Sequence, residues 1–246
     1  MREILADLVA EQQALDQMLQ RAPERDWKRR TPAPGWSVQD SISHLAASEE
    51  QALRALTGDT GLEAEVAAAG GIDAYNQAGV EAGRSKRPQE VIEWWRHSRA
   101  AVVEVLSRTP HQARVAWYAG PMSARTFATT RLMETWAHGL DIVAALNREA
   151  ADTARLRHVA WLGWKTLPYA FARAGEAYPA PIRVELVGPG YARWVFGPAE
   201  ADQVVRGQAA DWCRLVVGRL PGSRSNNLIA VGEVAATALR VARAHL

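Results

Sequence analysis

The stretch RLMETWAHGLDIVAAL, Arg131 to Leu146, carries two kinds of helical spacing at once. Leu132, Trp136, Leu140 and Val143 recur at the interval of an apolar stripe. Glu134, His138 and Asp141 stand four and three residues apart, so at 3.6 residues per turn they project from one side of the same helix. A helix that already has a stripe for the core therefore also aligns a carboxylate, an imidazole and a second carboxylate. That row either faces water or forms a site, and the surrounding chain has to decide which.

Working outward, the stretch is the last of four long helical segments. Leu5, Leu8, Val9, Gln12, Leu15 and Leu19 give helical spacing over residues 2 to 21. TPAPGWS then breaks the chain, and Ser37 is an N-cap for a second helix reaching Leu56. Residues 59 to 87 are rich in Gly and Ala, and only GIDAYNQAGVEAG is helical in character, so this part reads as a connection long enough to cross a bundle. Pro88 at a first helical position opens the third helix, PQEVIEWWRHSRAAVVEVLSR, with Val91, Trp94, Trp95, Val102, Val105 and Leu106 for burial. Ser123 caps the fourth. Four long helices with one crossover predict a four-helix bundle over residues 1–150.

The pattern then changes. ARLRHVAWLGWKTLPYAFARAG, residues 154–175, reads as one further helix. PIRVELVGPGYARWVFG, residues 181–197, alternates apolar and polar residues around Gly-Pro-Gly and predicts a hairpin. ADQVVRGQAADWCRLVVGRL, residues 201–220, returns to helical spacing, and NLIAVGEVAATALRVARAHL, residues 227–246, gives a short strand and a closing helix. Residues 151–246 are thus expected to form a small α+β domain, and the whole chain a mainly α protein.

Composition removes several function classes. With 246 residues, 48% of them hydrophobic, the chain can bury a substantial core. A net charge of +2 without a basic stripe argues against a nucleic-acid partner. Cys213 is the only cysteine, which excludes an internal disulfide, CxxC zinc sites and iron–sulfur ligation within one chain. The N-terminus lacks a signal-peptide core and no run approaches about 18 apolar residues, so no membrane partner and a cytoplasmic location are expected. Arg greatly outnumbers Lys, which stands only at Lys28, Lys86 and Lys165, and Ala is abundant, a bias of GC-rich genomes such as those of actinomycetes. There is no GxxxxGK[ST], no G-x-G-x-x-G after a strand, no HExxH and no G-x-S-x-G.

The residues that remain for chemistry are of the types that can ligate a metal. A divalent ion such as zinc takes imidazole nitrogen and carboxylate oxygen at about 2.0–2.2 Å, and an i,i+4 pair on a helix supplies two such groups with little entropy to lose. Glu134 and His138 have that spacing. His44, in GWSVQDSISHLAAS, is the candidate third ligand, and three protein ligands leave positions open for reaction. Asp141 can orient a ligand or handle a proton. Trp36 and Trp136 are candidates to wall the pocket. Each residue also has a plainer reading. An E-x-x-x-H pair is commonly an intrahelical contact on a solvated face, His44 a hydrogen-bonded core histidine, and Cys213 a small buried apolar residue. His97, His111, His158 and His245 have no comparable partner on their own segments.

APGWSVQDSISHLAASE followed far downstream by ETWAHGLDIVAAL resembles the N-terminal metal-binding domain of the mycothiol-dependent maleylpyruvate isomerase family, within the wider DinB-like group of four-helix bundles. VELVGPGYARWVFGPAEADQVVRGQAADWCRLVVGRL and the segment after it are similar to the C-terminal domain of an actinobacterial branch that carries a wyosine-base-formation-type domain. The resemblance implies a DinB-like bundle followed by the α+β domain, a His-Glu-His metal set at His44, Glu134 and His138, and an acid at Asp141. It implies an arginine from the C-terminal domain, matched by Arg219 in VVGR, with Arg214 the second match. The cofactors implied are a divalent metal, zinc, and mycothiol as thiol cosubstrate. The activity implied is isomerisation or S-transfer through attack of the thiolate on a small electrophilic substrate, in a monomer or homodimer. Alternatives on the same fold are a diverged enzyme of specialised metabolism and a non-catalytic small-molecule-binding protein. LPGSRSNNL, residues 220–228, departs from the acidic segment of that branch.

Overall fold

The computed structural model describes residues 1–118, 120–220 and 227–244, and the chain divides into two compact units, Met1–Ala150 and Ala151–Leu246. The first unit is a four-helix bundle of α1 (Arg2–Gln20), α2 (Val38–Leu56), α5 (Pro88–Arg108) and α6 (Ala124–Ala145). Its core is built from Leu15 and Leu19 of α1, Ile42 and Leu45 of α2, Val91 and Trp95 of α5, and Ile142 of α6. The start signals act as read. Ser37 accepts from the Asp40 amide while the Asp40 carboxylate accepts from the Ser37 amide, Pro88 occupies the first turn of α5, and the Ser123 hydroxyl accepts from the Thr126 amide.

The connection between α2 and α5 is more ordered than its Gly and Ala content suggests. It holds two helices, α3 (Leu62–Ala68) and α4 (Ile72–Arg84), the second being the GIDAYNQAGVEAG segment. The glycines of α4 are there for close approach. A methyl group on Gly79 would lie 2.6 Å from Ala47 Cβ, and one on Gly83 would lie 2.5 Å from Ser43 Cβ, so Gly79 and Gly83 let α4 pack directly on the Ser43 and Ala47 side of α2. With α4, α5 and α6 around it, α2 is buried on nearly every side from Val38 to Ala52. Between α5 and α6 a two-residue ladder pairs β1 (Arg114–Val115) with β2 (Met122–Ser123).

In α6 the expected stripe is only part of what is buried. Leu140 and Val143 are half-buried, while Met133, Ala137 and Ile142 are buried, so the helix is covered around most of its circumference and its polar row points into the bundle.

The second unit holds a four-stranded sheet, in the order β4, β3, β5, β6. β3 (Ile182–Val187) and β4 (Arg193–Phe196) form the antiparallel hairpin around Gly-Pro-Gly. Two expectations need correction. Residues 154–175 are two helices, α7 (Leu156–Lys165) and α8 (Leu167–Arg173), because Pro168 cannot continue the hydrogen bonding of α7. Residues 201–220 begin as a strand, β5 (Gln203–Gln208), and only then become α9 (Ala209–Val216). Val204 and Val205 lie between β3, in parallel register, and β6 (Leu228–Val231), antiparallel, and this pairing overrides their helical spacing. α10 (Glu233–Val241) closes the unit. Residues 221–226 of the departing loop and His245 lie outside the described residues.

Candidate metal centre

His44 sits in the second turn of α2, and its register follows from the cap at Ser37. Glu134 and His138 sit one turn apart on α6. The two helices bring the three side chains together: Glu134 Oε2 is 3.5 Å from His44 Nε2 and 3.6 Å from His138 Nε2, and one ligand atom from each residue lies within 4.8 Å of the others. Ligands about 2.1 Å from a tetrahedral ion are spaced about 3.4 Å apart, so the two nitrogen–oxygen separations are those a zinc-like ion requires. The residues present fit a divalent cation.

The electrostatics suit the same purpose. Burial pushes His44 below the usual histidine value, against the pull of Glu134, and leaves a neutral imidazole able to donate a lone pair. Burial pushes Glu134 upward, but hydrogen bonding from His138 and His44 and the charge of Arg131 outweigh it, and the carboxylate lies well below its usual range. Asp141, 2% exposed, places Oδ2 3.3 Å from His138 Nδ1, while Nε2 of the same ring lies 3.6 Å from Glu134 Oε2. The polar row of α6 is therefore turned into the bundle and converges with His44, rather than facing water.

Trp36 closes one side. The loop before α2 is held by Arg30 donating to the Gly35 carbonyl at 2.8 Å and by the Thr31 amide on the Trp36 carbonyl. The indole lies 5.0 Å from the His44 ring and 5.6 Å from that of His138, and its Nε1 donates to Gln77 of α4 at 3.3 Å. Trp136 is different. Two residues from both Glu134 and His138, it stands about 200° round α6 from each and is buried on the other side of the helix.

The two arginines carried over from the resemblance belong to the second unit. Arg214 makes a two-pronged contact to Asp152 at 2.8 and 3.2 Å, and Asp211 accepts from Asn227. Arg219 donates through Nη1 to the Val217 carbonyl at 2.6 Å. Cys213 is fully buried, donates to the Leu156 carbonyl, and burial pushes its thiol well above the usual range, which is the plain reading of that residue. His97 and His111 are exposed.

Three residues of the interior were missed from sequence: Arg131, Glu49 and Tyr118. Arg131 is 2% exposed, donates to Ser48 Oγ at 2.7 Å and lies over the rings of Trp117 and Phe127. Burial pushes the Tyr118 phenol up to about 12, with Glu134 adding to it. A signal existed for two of them, since Arg131 and Glu49 lie one turn and five residues from proposed ligands on helices that must be buried.

A four-helix bundle with a convergent His-Glu-His set defines the class. The chain belongs to the family described as the mycothiol maleylpyruvate isomerase N-terminal domain, whose model matches residues 8–143. Uncharacterized proteins from two strains of Mycobacterium tuberculosis are each 40% identical over 242 residues, spanning 98% of this chain and 94% of theirs. A crystal structure of the mycothiol-dependent maleylpyruvate isomerase has the same fold, with a TM-score of 0.61 at 19% identity, covering 93% of this chain and 92% of that one. A histidine-to-alanine mutant of that enzyme matches with a TM-score of 0.60 at 18% identity over the same shares. No helix among the described residues is long and apolar enough to cross a membrane.

Proposed function

We propose that the protein is a metal-dependent isomerase or S-transferase that uses mycothiol as its thiol and a small electrophile as its substrate. The observation that carries this reading is the convergence of His44, Glu134 and His138, with Asp141 behind His138. These three residues would hold the ion, zinc being the first choice for two imidazoles and one carboxylate. What the bound ion supplies is positive charge that lowers the pKa of a coordinating thiol, and the thiolate is the nucleophilic form.

The chain's own residues do the rest. Glu134 offsets charge, Asp141 fixes the tautomer and direction of His138, and Trp36 covers the imidazoles and limits water at that face. Arg219, by resemblance, is assigned to the polar groups of thiol or substrate, with Arg214 second. Family membership supports an enzyme, and a cytoplasmic location goes with a thiol that is a metabolite. The test is elemental analysis of purified protein followed by turnover of maleylpyruvate-like electrophiles with mycothiol. One metal per chain and mycothiol-dependent turnover support the proposal. Metal-free protein that is equally active would remove it.

A further inference from the structure

The bundle interior beside the triad is not apolar. Glu49 of α2 is 1% exposed, and neither of its carboxylate oxygens accepts a hydrogen bond among the described residues. Three donors from the other three bundle helices are likewise without an acceptor: Gln12 Nε2 of α1, Trp95 Nε1 of α5 and Arg131 Nε of α6. Two sets of contacts locate this layer. Arg131, one turn before Glu134, donates to Ser48, one turn after His44 and next to Glu49. Arg99 of α5 donates to the Gln12 carbonyl at 2.7 Å and lies 4.2 Å over the Trp95 ring. Each bundle helix thus contributes a polar group to one layer about a turn deeper than the ligands.

The charged groups around Glu49 come from three helices. α6 brings Arg131 and Glu134, and α5 brings Arg99. α1 brings neutral Gln12 and Asp16, the latter already engaged by Arg96 and Arg99. Burial pushes Glu49 up to about 7, Arg131 and Arg99 oppose that, and Glu134 adds to it. A carboxylate without a hydrogen-bond donor in such a place is held as the neutral acid until positive charge arrives nearby.

A bound dication would raise the charge of this interior by two, and ionised Glu49 would offset one of the two. We propose that Glu49 is the charge-compensating acid of the metal centre: a neutral carboxylic acid in the metal-free bundle that gives its proton to solvent when a divalent cation occupies His44, Glu134 and His138. This inference rests on the metal reading above and adds a residue outside the ligand set, one that positions charge and touches neither ion nor substrate.

The experiment is calorimetric titration of Zn²⁺ into metal-free protein at about pH 6.5, just below the point where Glu49 would ionise unaided, in two buffers of different ionisation enthalpy. The difference between buffers counts protons released. Wild type is expected to release about one proton more than E49Q and to bind Zn²⁺ about tenfold more tightly, and E49D, which keeps an acid, to retain the release. Infrared difference spectra of wild type alone give an independent readout, in which adding Zn²⁺ removes the band of a protonated carboxylic acid. Equal proton counts in wild type and E49Q, or no loss of that band, would overturn the role of Glu49 while leaving the metal reading intact. Failure of wild type to bind Zn²⁺ would remove both.

Discussion

Asp141 separates orientation of a ligand from ligation itself. Its Oδ2 is 3.3 Å from His138 Nδ1 and the residue is 2% exposed, so water does not readily replace the side chain. Asp141→Ala leaves the ring free to turn and removes the charge behind it, whereas Asp141→Asn keeps an oxygen that can accept from Nδ1–H without that charge. Loss of such an outer partner weakens metal affinity about 10- to 100-fold, about 1.4–2.7 kcal/mol. Asp141→Ala should fall in that range and Asp141→Asn toward its weak end, with turnover reduced more than metal content in the Asn variant. A chelator-competition titration measures both, with turnover at saturating Zn²⁺ alongside. Metal loss in Asp141→Asn as complete as that on removing Glu134 would refute the reasoning, because Asp141 would then be a ligand.

Glu134→Ala is expected to lower metal content and activity together, checked by elemental analysis and turnover on the same preparation. Burial depresses His44, so the unfolded chain takes up a proton that the folded chain refuses; metal-free protein should lose stability as pH falls from about 6.5 toward the lowered folded value, and His44→Gln should flatten that part of the melting-temperature profile. Gly83→Ala sets a methyl group 2.5 Å from Ser43 Cβ and should cost about 1–3 kcal/mol by overpacking, read as a lower midpoint in urea, while Gly139→Ala, a helical position whose added methyl meets nothing within 4 Å, serves as the control.

The four bundle helices were legible because each carries both a period and a start signal: the capping box at Ser37, Pro88 and the Ser123 cap are local chemistry that the fold has no reason to override. The convergence of the candidate set was legible from Glu134 and His138, where one helix supplies the spacing, and His44 needed only a helix that had to be buried. What could not be read depends on partners distant in sequence. GIDAYNQAGVEAG reads as a short helix, but the reason for Gly79 and Gly83 within it is hidden until Ser43 and Ala47 are known to lie against them. Val204 and Val205 fit a helix until β3 and β6 flank them. Trp136 shares a short stretch with the ligands yet faces the other way, which helical geometry alone would have shown. Glu49 and Arg131 lie near proposed ligands on helices that had to be buried, but their surroundings come from other helices and could not be read along the chain.

Calorimetric titration of mycothiol into metal-loaded wild type, metal-free wild type and metal-loaded Arg219→Ala tests most directly the proposal that thiol recognition runs through His44, Glu134 and His138. Binding to the metal-loaded protein, none to the metal-free protein and weakened binding to Arg219→Ala at full metal content is the result expected. Equal binding in all three would contradict both the metal's part in thiol recognition and the assignment of Arg219.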